Sequence, residues 1–186
     1  LAKATLALMG SSEGCVAITA LSTRVNPASL EARGKELADV LLGKTPIIYA
    51  SHRNNALGYV WKIKFNEHAK IPAFCNRFPE LNHNEMTGFD SAVARELSSE
   101  FMFLFLRDPA DGERIAKRMD VTAEILRDRG LTVRNIALEG TLEFEAMFNT
   151  SLLADWAAYY LAINAGIDPE AVPLVEEFKS RIANRT

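Results

Sequence analysis

Cysteine is scarce in this chain of 186 residues: there are two, Cys15 and Cys75, far apart and in apolar or strand-like contexts. With no CxxC pair and no Cys/His cluster, neither a disulfide framework nor a zinc site is expected. Reduced core thiols, as in a cytoplasmic protein, fit this usage. Long apolar runs are missing as well. None approaches the roughly 18 residues of a membrane span, and Leu1 to Ala7 lacks the charged-then-apolar order of a secretory signal. Nor is positive charge in excess: the formal net charge is -3 and the pI about 5.7, which gives no reason to expect nucleic-acid or membrane partners. No HxxxH motif and no serine elbow point to metal-assisted or serine-nucleophile hydrolysis. Internal repeats, low-complexity tracts and linkers are absent, so the length suits one domain with core enough to fold. The chain opens on leucine rather than methionine and is expected to be a piece of something longer.

What the chain does have is a regular exchange of apolar runs and amphipathic stretches. Residues 1–25 read as two helices around the break Gly10-Ser-Ser-Glu-Gly14. That break has no strand before it, so it is a loop rather than a phosphate cradle. Asn26-Pro27 opens a helix with a good cap and a first-turn proline, and Gly43 ends it. Strands are expected at 46–50, 72–76, 101–106 and 132–138. Between and after them the apolar spacing predicts helices over 57–69, 111–129, from Glu139-Gly140 through Asn164, and 172–182. FMFLFL at 101–106 is apolar throughout, as in a strand covered on both faces. Strands alternating with helices argue a three-layer α/β/α fold with a parallel sheet.

Polar residues gather around one stretch, Trp61 to Gly88. Asn66-Glu67-His68 precedes IPAF, which its flanking prolines mark as a short buried strand, and Glu80 to Glu85 follows it. In an open α/β sheet ligands bind at the carboxyl ends of strands, where the second cluster falls. Ser51-His52-Arg53 follows the strand 46–50 and either faces a ligand or faces solvent. Taken singly, Glu67 fits a solvated helix face and Asn82-His83-Asn84 a helix cap. Against that, a carboxylate near a helix carboxyl end is disfavoured by the dipole, which asks for a partner or a function. His68 points about 100° away from Glu67 on a helix.

The spacing W-K-x-x-x-N-E-x-x-K-x-P-A-F, then P-E-x-N-H-N-E-x-x-G, resembles the bifunctional phosphoglucose/phosphomannose isomerases of archaea and bacteria. It is carried by Trp61, Lys62, Asn66, Glu67, Lys70, Pro72, Ala73, Pro79, Glu80, Asn82, His83, Asn84, Glu85 and Gly88. The likeness extends more thinly from about Pro27 to Lys179. These enzymes have two sugar-isomerase (SIS) domains, and the chain resembles the second. Residues 26–186 would then be that domain, led into by the helical segment 1–25. The resemblance implies an aldose–ketose isomerase interconverting glucose 6-phosphate or mannose 6-phosphate with fructose 6-phosphate, without metal or cofactor. It implies Glu67 as the base moving a proton between C2 and C1, His83 as the group that opens the sugar ring, and Lys179 assisting at the sugar. Ser51, His52 and Arg53, from their place after a strand, and Asn82 are the candidates for binding substrate, although the family's glycine-containing turn after Tyr49 is replaced here by Ala-Ser-His. It further implies a homodimer, because the family's histidine reaches its site from the partner subunit, and an N-terminal SIS domain beyond this chain. The family's S-x-S-G-x-T phosphate loop has no match here. A non-catalytic sugar-phosphate sensor and a dimerisation half-module are the other readings of such a domain.

Overall fold

The computed structural model describes residues 1–185. In chain order its main elements are α1 (Ala2–Leu8), α2 (Ser12–Ala20), α3 (Ala28–Leu41), β1 (Thr45–Ser51), α4 (Asn55–Glu67), β2 (Phe74–Phe78), α5 (Ala92–Leu97), β3 (Phe101–Arg107), α6 (Glu113–Asp128), β4 (Thr132–Ala137), α7 (Glu143–Asn164) and α8 (Pro173–Ala183). All strand pairings are parallel, in the order β2-β1-β3-β4.

The two central strands show why the sheet is covered on both sides. Along β3, Met102, Leu104 and Leu106 enter one core while Phe103 and Phe105 enter the other, as side chains alternating at a period of two must. β1 divides likewise, Ile48 and Ala50 on one face and Ile47 and Tyr49 on the other. Helices α3, α4 and α7 supply Leu37, Leu41, Trp61, Phe65, Ala154 and Ala157 to the first core. Helix α6 closes the second with Met119, Ala123 and Leu126, joined by Leu81 and Phe89 from the turns after β2. The three-layer parallel fold expected from the alternating pattern is the fold observed.

α3 begins at Ala28, one residue later than expected, with Pro27 at the cap position and the Asn26 side chain accepting from the Ala28 amide at 3.1 Å just ahead of the helix. Gly43, at φ 75°, turns the chain into β1 in a conformation that costs glycine little. α3 crosses α7 closely enough that a Cβ on Gly34 would lie 2.2 Å from the Trp156 Cβ. The Trp156 indole N–H donates to the Pro27 carbonyl at 2.8 Å, tying the start of one helix to the other.

Two expectations are corrected. The second strand begins at Phe74 rather than residue 72 and is not buried: it pairs with β1 alone, and Phe74 is 54% exposed. Pro72 has no amide to give a ladder, so Ile71 to Ala73 leads up to the strand instead of belonging to it. α7 starts at Glu143, not at Glu139-Gly140; Gly140 instead packs against the helix's first turn, where a Cβ would meet the Ala146 amide at 2.6 Å. Helix α5 and the two 3-10 turns, Glu80–Asn82 and Glu85–Phe89, were not foreseen.

From β1 the chain passes through α4 to β2 on one side; from β3 it passes through α6 to β4 on the other. The carboxyl ends of β1 and β3 therefore flank the point where the winding reverses, which is where open α/β sheets leave a crevice. Among the described residues no helix is long and apolar enough to cross a membrane.

Candidate active site

The crevice is lined by the loop after β1 and the loop after β3. Ser51 is 2% exposed, and its hydroxyl accepts from the Asn54 backbone amide at 3.3 Å and side-chain amide at 3.2 Å. Asn54, also buried, donates onward to the Asp108 carboxylate at 2.8 Å. Arg53 stands half-exposed with its Nε 3.6 Å from the same carboxylate. Burial pushes the Asp111 carboxyl above the usual range, with nearby Asp108 adding to the rise and Ser51 and Arg53 opposing it. Its Oδ2 is buried without a hydrogen-bond partner among the described residues. So the crevice carries two carboxylates where a phosphate would need donors and positive charge. His52 is exposed at its rim.

After β2, residues 80–89 fold into two 3-10 turns that lie along the α6 face of the sheet, from the end of β2 to Phe89, which packs on Phe103 near the start of β3. Asn82 is held against α6: its amide donates to Thr122 Oγ1 at 2.9 Å, and its carbonyl oxygen accepts from Arg118 at 3.3 Å. Glu85 is held against the sheet by the Tyr49 hydroxyl (2.6 Å) and the Asn76 amide. Between these two anchors His83 and Asn84 are exposed.

Glu67 lies at the other end of the molecule. It is the last residue of α4, which runs from the carboxyl edge of the sheet back toward the amino edge, and its carboxylate is exposed with no hydrogen bond or ion pair to the described residues. The turn that follows is tightly set. Asn66 donates to the Ile71 carbonyl at 2.9 Å. Lys70, at φ 58°, reaches the carbonyl oxygens of Glu67 and of Pro169, the latter at 3.0 Å. Through Pro169 this turn fixes the approach to α8, the helix of Lys179. Lys179 itself is exposed and pairs with Glu176 at 2.7 Å.

Within one chain, then, Ser51, His52 and Arg53 lie at the carboxyl edge and Asn82 and His83 on the α6 face of the sheet, whereas Glu67 and the root of α8 lie at the amino end on the α4 face. The fold does not bring Glu67 and His83 together in one copy. Tyr49, Asp108, Asp111 and the anchoring role of Glu85 went unremarked in the sequence. Arg107-Asp108-Pro109 reads simply as the end of a strand, although an acid directly after an apolar parallel strand is the available signal. Tyr49 is masked by sitting in an apolar run. No group of three His, Cys, Asp or Glu side chains that could hold a metal occurs among the described residues.

A parallel sheet of this order, with loops gathered at its carboxyl edge and helices on both faces, defines a SIS-type α/β domain. Among solved structures, a glucose-6-phosphate isomerase-like protein from Thermus thermophilus superposes with a TM-score of 0.61 at 23% identity, over 79% of this chain and 46% of that one. The chain belongs to the family described as the bacterial phospho-glucose isomerase C-terminal SIS domain, whose model matches residues 30–182. It is 32% identical over 157 residues to a bifunctional phosphoglucose/phosphomannose isomerase of Aquifex aeolicus, covering 84% of this chain and 48% of that protein. It is 36% identical over 138 residues to the protein of the same name in Thermoplasma volcanium, covering 74% and 43%. The chain thus spans about half the length of the curated relatives it matches.

Proposed function

We propose that this chain is the carboxyl-terminal half of an aldose–ketose isomerase of hexose 6-phosphates, interconverting glucose 6-phosphate or mannose 6-phosphate with fructose 6-phosphate. Glu67 is the base. Its carboxylate takes the proton from C2 and returns it to C1 through an enediol, a task that suits a carboxylate shielded from water once substrate is bound. His83 opens the ring, since an imidazole near neutral pH can both donate and accept at the ring oxygen. Lys179 supplies positive charge from α8, and His52 and Arg53 meet the sugar at the crevice rim. Ser51 and Asn82, whose polar atoms are committed internally, shape the loops that present the other groups.

The observation that carries the reading is the family motif combined with the separation of its two reactive residues. The Glu67 side chain has no partner among the described residues at the amino end of the sheet, and His83 is offered to solvent from the turns on the opposite face. This arrangement supports a site assembled between two copies, with the histidine of one chain over the base of its partner. The carboxylates of Asp108 and Asp111 disfavour a phosphate in the crevice, which supports a phosphate site on a further SIS domain.

The test is made on the intact isomerase carrying this domain. Glu67→Gln keeps the side-chain shape and removes the base, so proton exchange at C2 falls by the roughly 10²–10⁴-fold of a lost general base. Substrate affinity changes little, because the base acts in the transition state. His83→Ala slows turnover of ring-closed substrate and spares a substrate held open. Full activity in Glu67→Gln, or binding of fructose 6-phosphate with no turnover by the intact protein, counts against the assignment, and the second result favours a sugar-phosphate sensor.

A further inference from the structure

We propose that Glu85 is a positioning residue that fixes the direction in which His83 is presented, by bridging β1 and β2 through its two carboxylate oxygens. The inference rests on the role of His83 given above. One oxygen accepts from the Tyr49 hydroxyl at 2.6 Å, and the other from the Asn76 side-chain amide. Tyr49 belongs to the middle of β1 and is fully buried among Phe78, Phe103 and Phe105. Burial, with the Glu85 charge beside it, drives its hydroxyl well above the ordinary tyrosine range, so it stays protonated and serves as a donor. Asn76 belongs to β2, opposite Tyr49 in the ladder. Glu85 thus ties the loop to two adjacent strands at one register position.

His83 itself makes no side-chain hydrogen bond among the described residues. Its imidazole is therefore aimed by the backbone, and that backbone is held at Asn82 by α6 and at Glu85 by the sheet. The Asn84 side chain completes the link, accepting from the Glu85 amide at 2.6 Å and donating to Glu80 at 3.3 Å. A carboxylate suits the Glu85 position because each oxygen accepts from a separate donor. A glutamine turns its own NH₂ toward one of those donors and loses that bond. The same geometry removes Glu85 from proton transfer, since both of its oxygens are engaged away from the exposed face of the loop.

Two variants test this in the intact isomerase. Tyr49→Phe keeps the ring packing and deletes one donor, and Glu85→Gln breaks one of the two bonds. Each should lower kcat on ring-closed glucose 6-phosphate about 10-fold, the scale of a lost hydrogen bond to a charged group. KM and C2 proton exchange on an open-chain substrate should stay within about twofold, because the base is untouched. Amide hydrogen exchange across residues 80–89 should accelerate in both variants while β1 and β3 keep their protection. Wild-type exchange and wild-type ring-closed kcat in both variants overturn the proposal, as does an equal fall on ring-closed and open-chain substrates. If His83→Ala slows ring-closed turnover and Glu85→Gln does not, positioning by Glu85 is refuted while the histidine's role stands. If His83→Ala changes nothing, the histidine's role fails and positioning by Glu85 fails with it. Faster exchange of the loop would then report a purely structural anchor.

Discussion

Asp111 shows how a single side chain at the crevice sets a pH dependence. Its carboxyl is pushed up first by burial and then by Asp108, against the lowering effects of Ser51, Arg53 and the Asp108 backbone. A carboxyl whose folded pKa is raised contributes most to stability when protonated, below its unfolded value of about 3.9. That contribution is lost as pH rises through the raised folded value. At neutral pH the charged form is therefore a liability of the folded state. Asp111→Asn should raise the thermal midpoint at pH 7 and raise it less at pH 4, where the native acid is already partly neutral. Scans of both proteins at the two pH values decide it; a larger gain at pH 4 would reverse the sign. At this scale the sequence was informative about the family, through the motif that holds Glu67 and His83. It was silent on residues whose roles are set by tertiary neighbours. Ser51 reads as a ligand-facing serine after a strand, yet its hydroxyl accepts from both the backbone and side-chain amides of Asn54. Glu85 reads as one more acid, and only the proximity of Tyr49 and Asn76 gives it a task.

The elements were legible in proportion to their periodicity. β1 and β3, apolar on both faces, and α6, with its clear apolar stripe of Met119, Ala123 and Leu126, lie within a residue or two of where the pattern put them. β2 was placed two residues early because an edge strand alternates weakly and Pro72 marks its approach rather than its start. Residues 80–97 escaped because 3-10 turns and a six-residue helix are too short to show a period. Helix pairing was equally hidden, and Gly34 is the clearest case. Alanine there would gain about 1 kcal/mol in helix propensity. Its methyl, however, would sit 2.2 Å from the Trp156 Cβ and 3.1 Å from backbone atoms of α7, which cannot swing aside as a side-chain tip can. Overpacking of about 1–3 kcal/mol should win. Gly34→Ala is expected to lower the urea midpoint of the chain with an unchanged m-value. A higher midpoint would mean that α3 and α7 slide apart at little cost.

For the whole molecule, the question is what meets the surfaces one copy leaves bare. α8 buries no residue, and Leu174, Phe178 and Ile182 are exposed along one face of it. Apolar stripes of this kind mark interaction surfaces more often than they stand in water. Lys70 anchors the approach to that helix at the end where Glu67 lies, and His83 stands on the opposite face of the sheet, between the Asn82 and Glu85 anchors. If each site takes Glu67 from one copy and His83 from another, two dead variants should repair each other. In a mixed dimer of Glu67→Gln and His83→Ala chains, one site receives both defects and the other receives neither. Random reassortment makes half of the dimers mixed, so activity on ring-closed substrate should return to about a quarter of wild type in a symmetric two-fold assembly. The measurement is made on the intact isomerase, after the two variants are unfolded together and refolded, with each variant treated alone as the control. A mixture no more active than the mean of its parents would place both residues of each site in a single chain. The separation of Glu67 from His83 across the sheet would then have to be closed by a rearrangement of α4 or of the 80–89 turns.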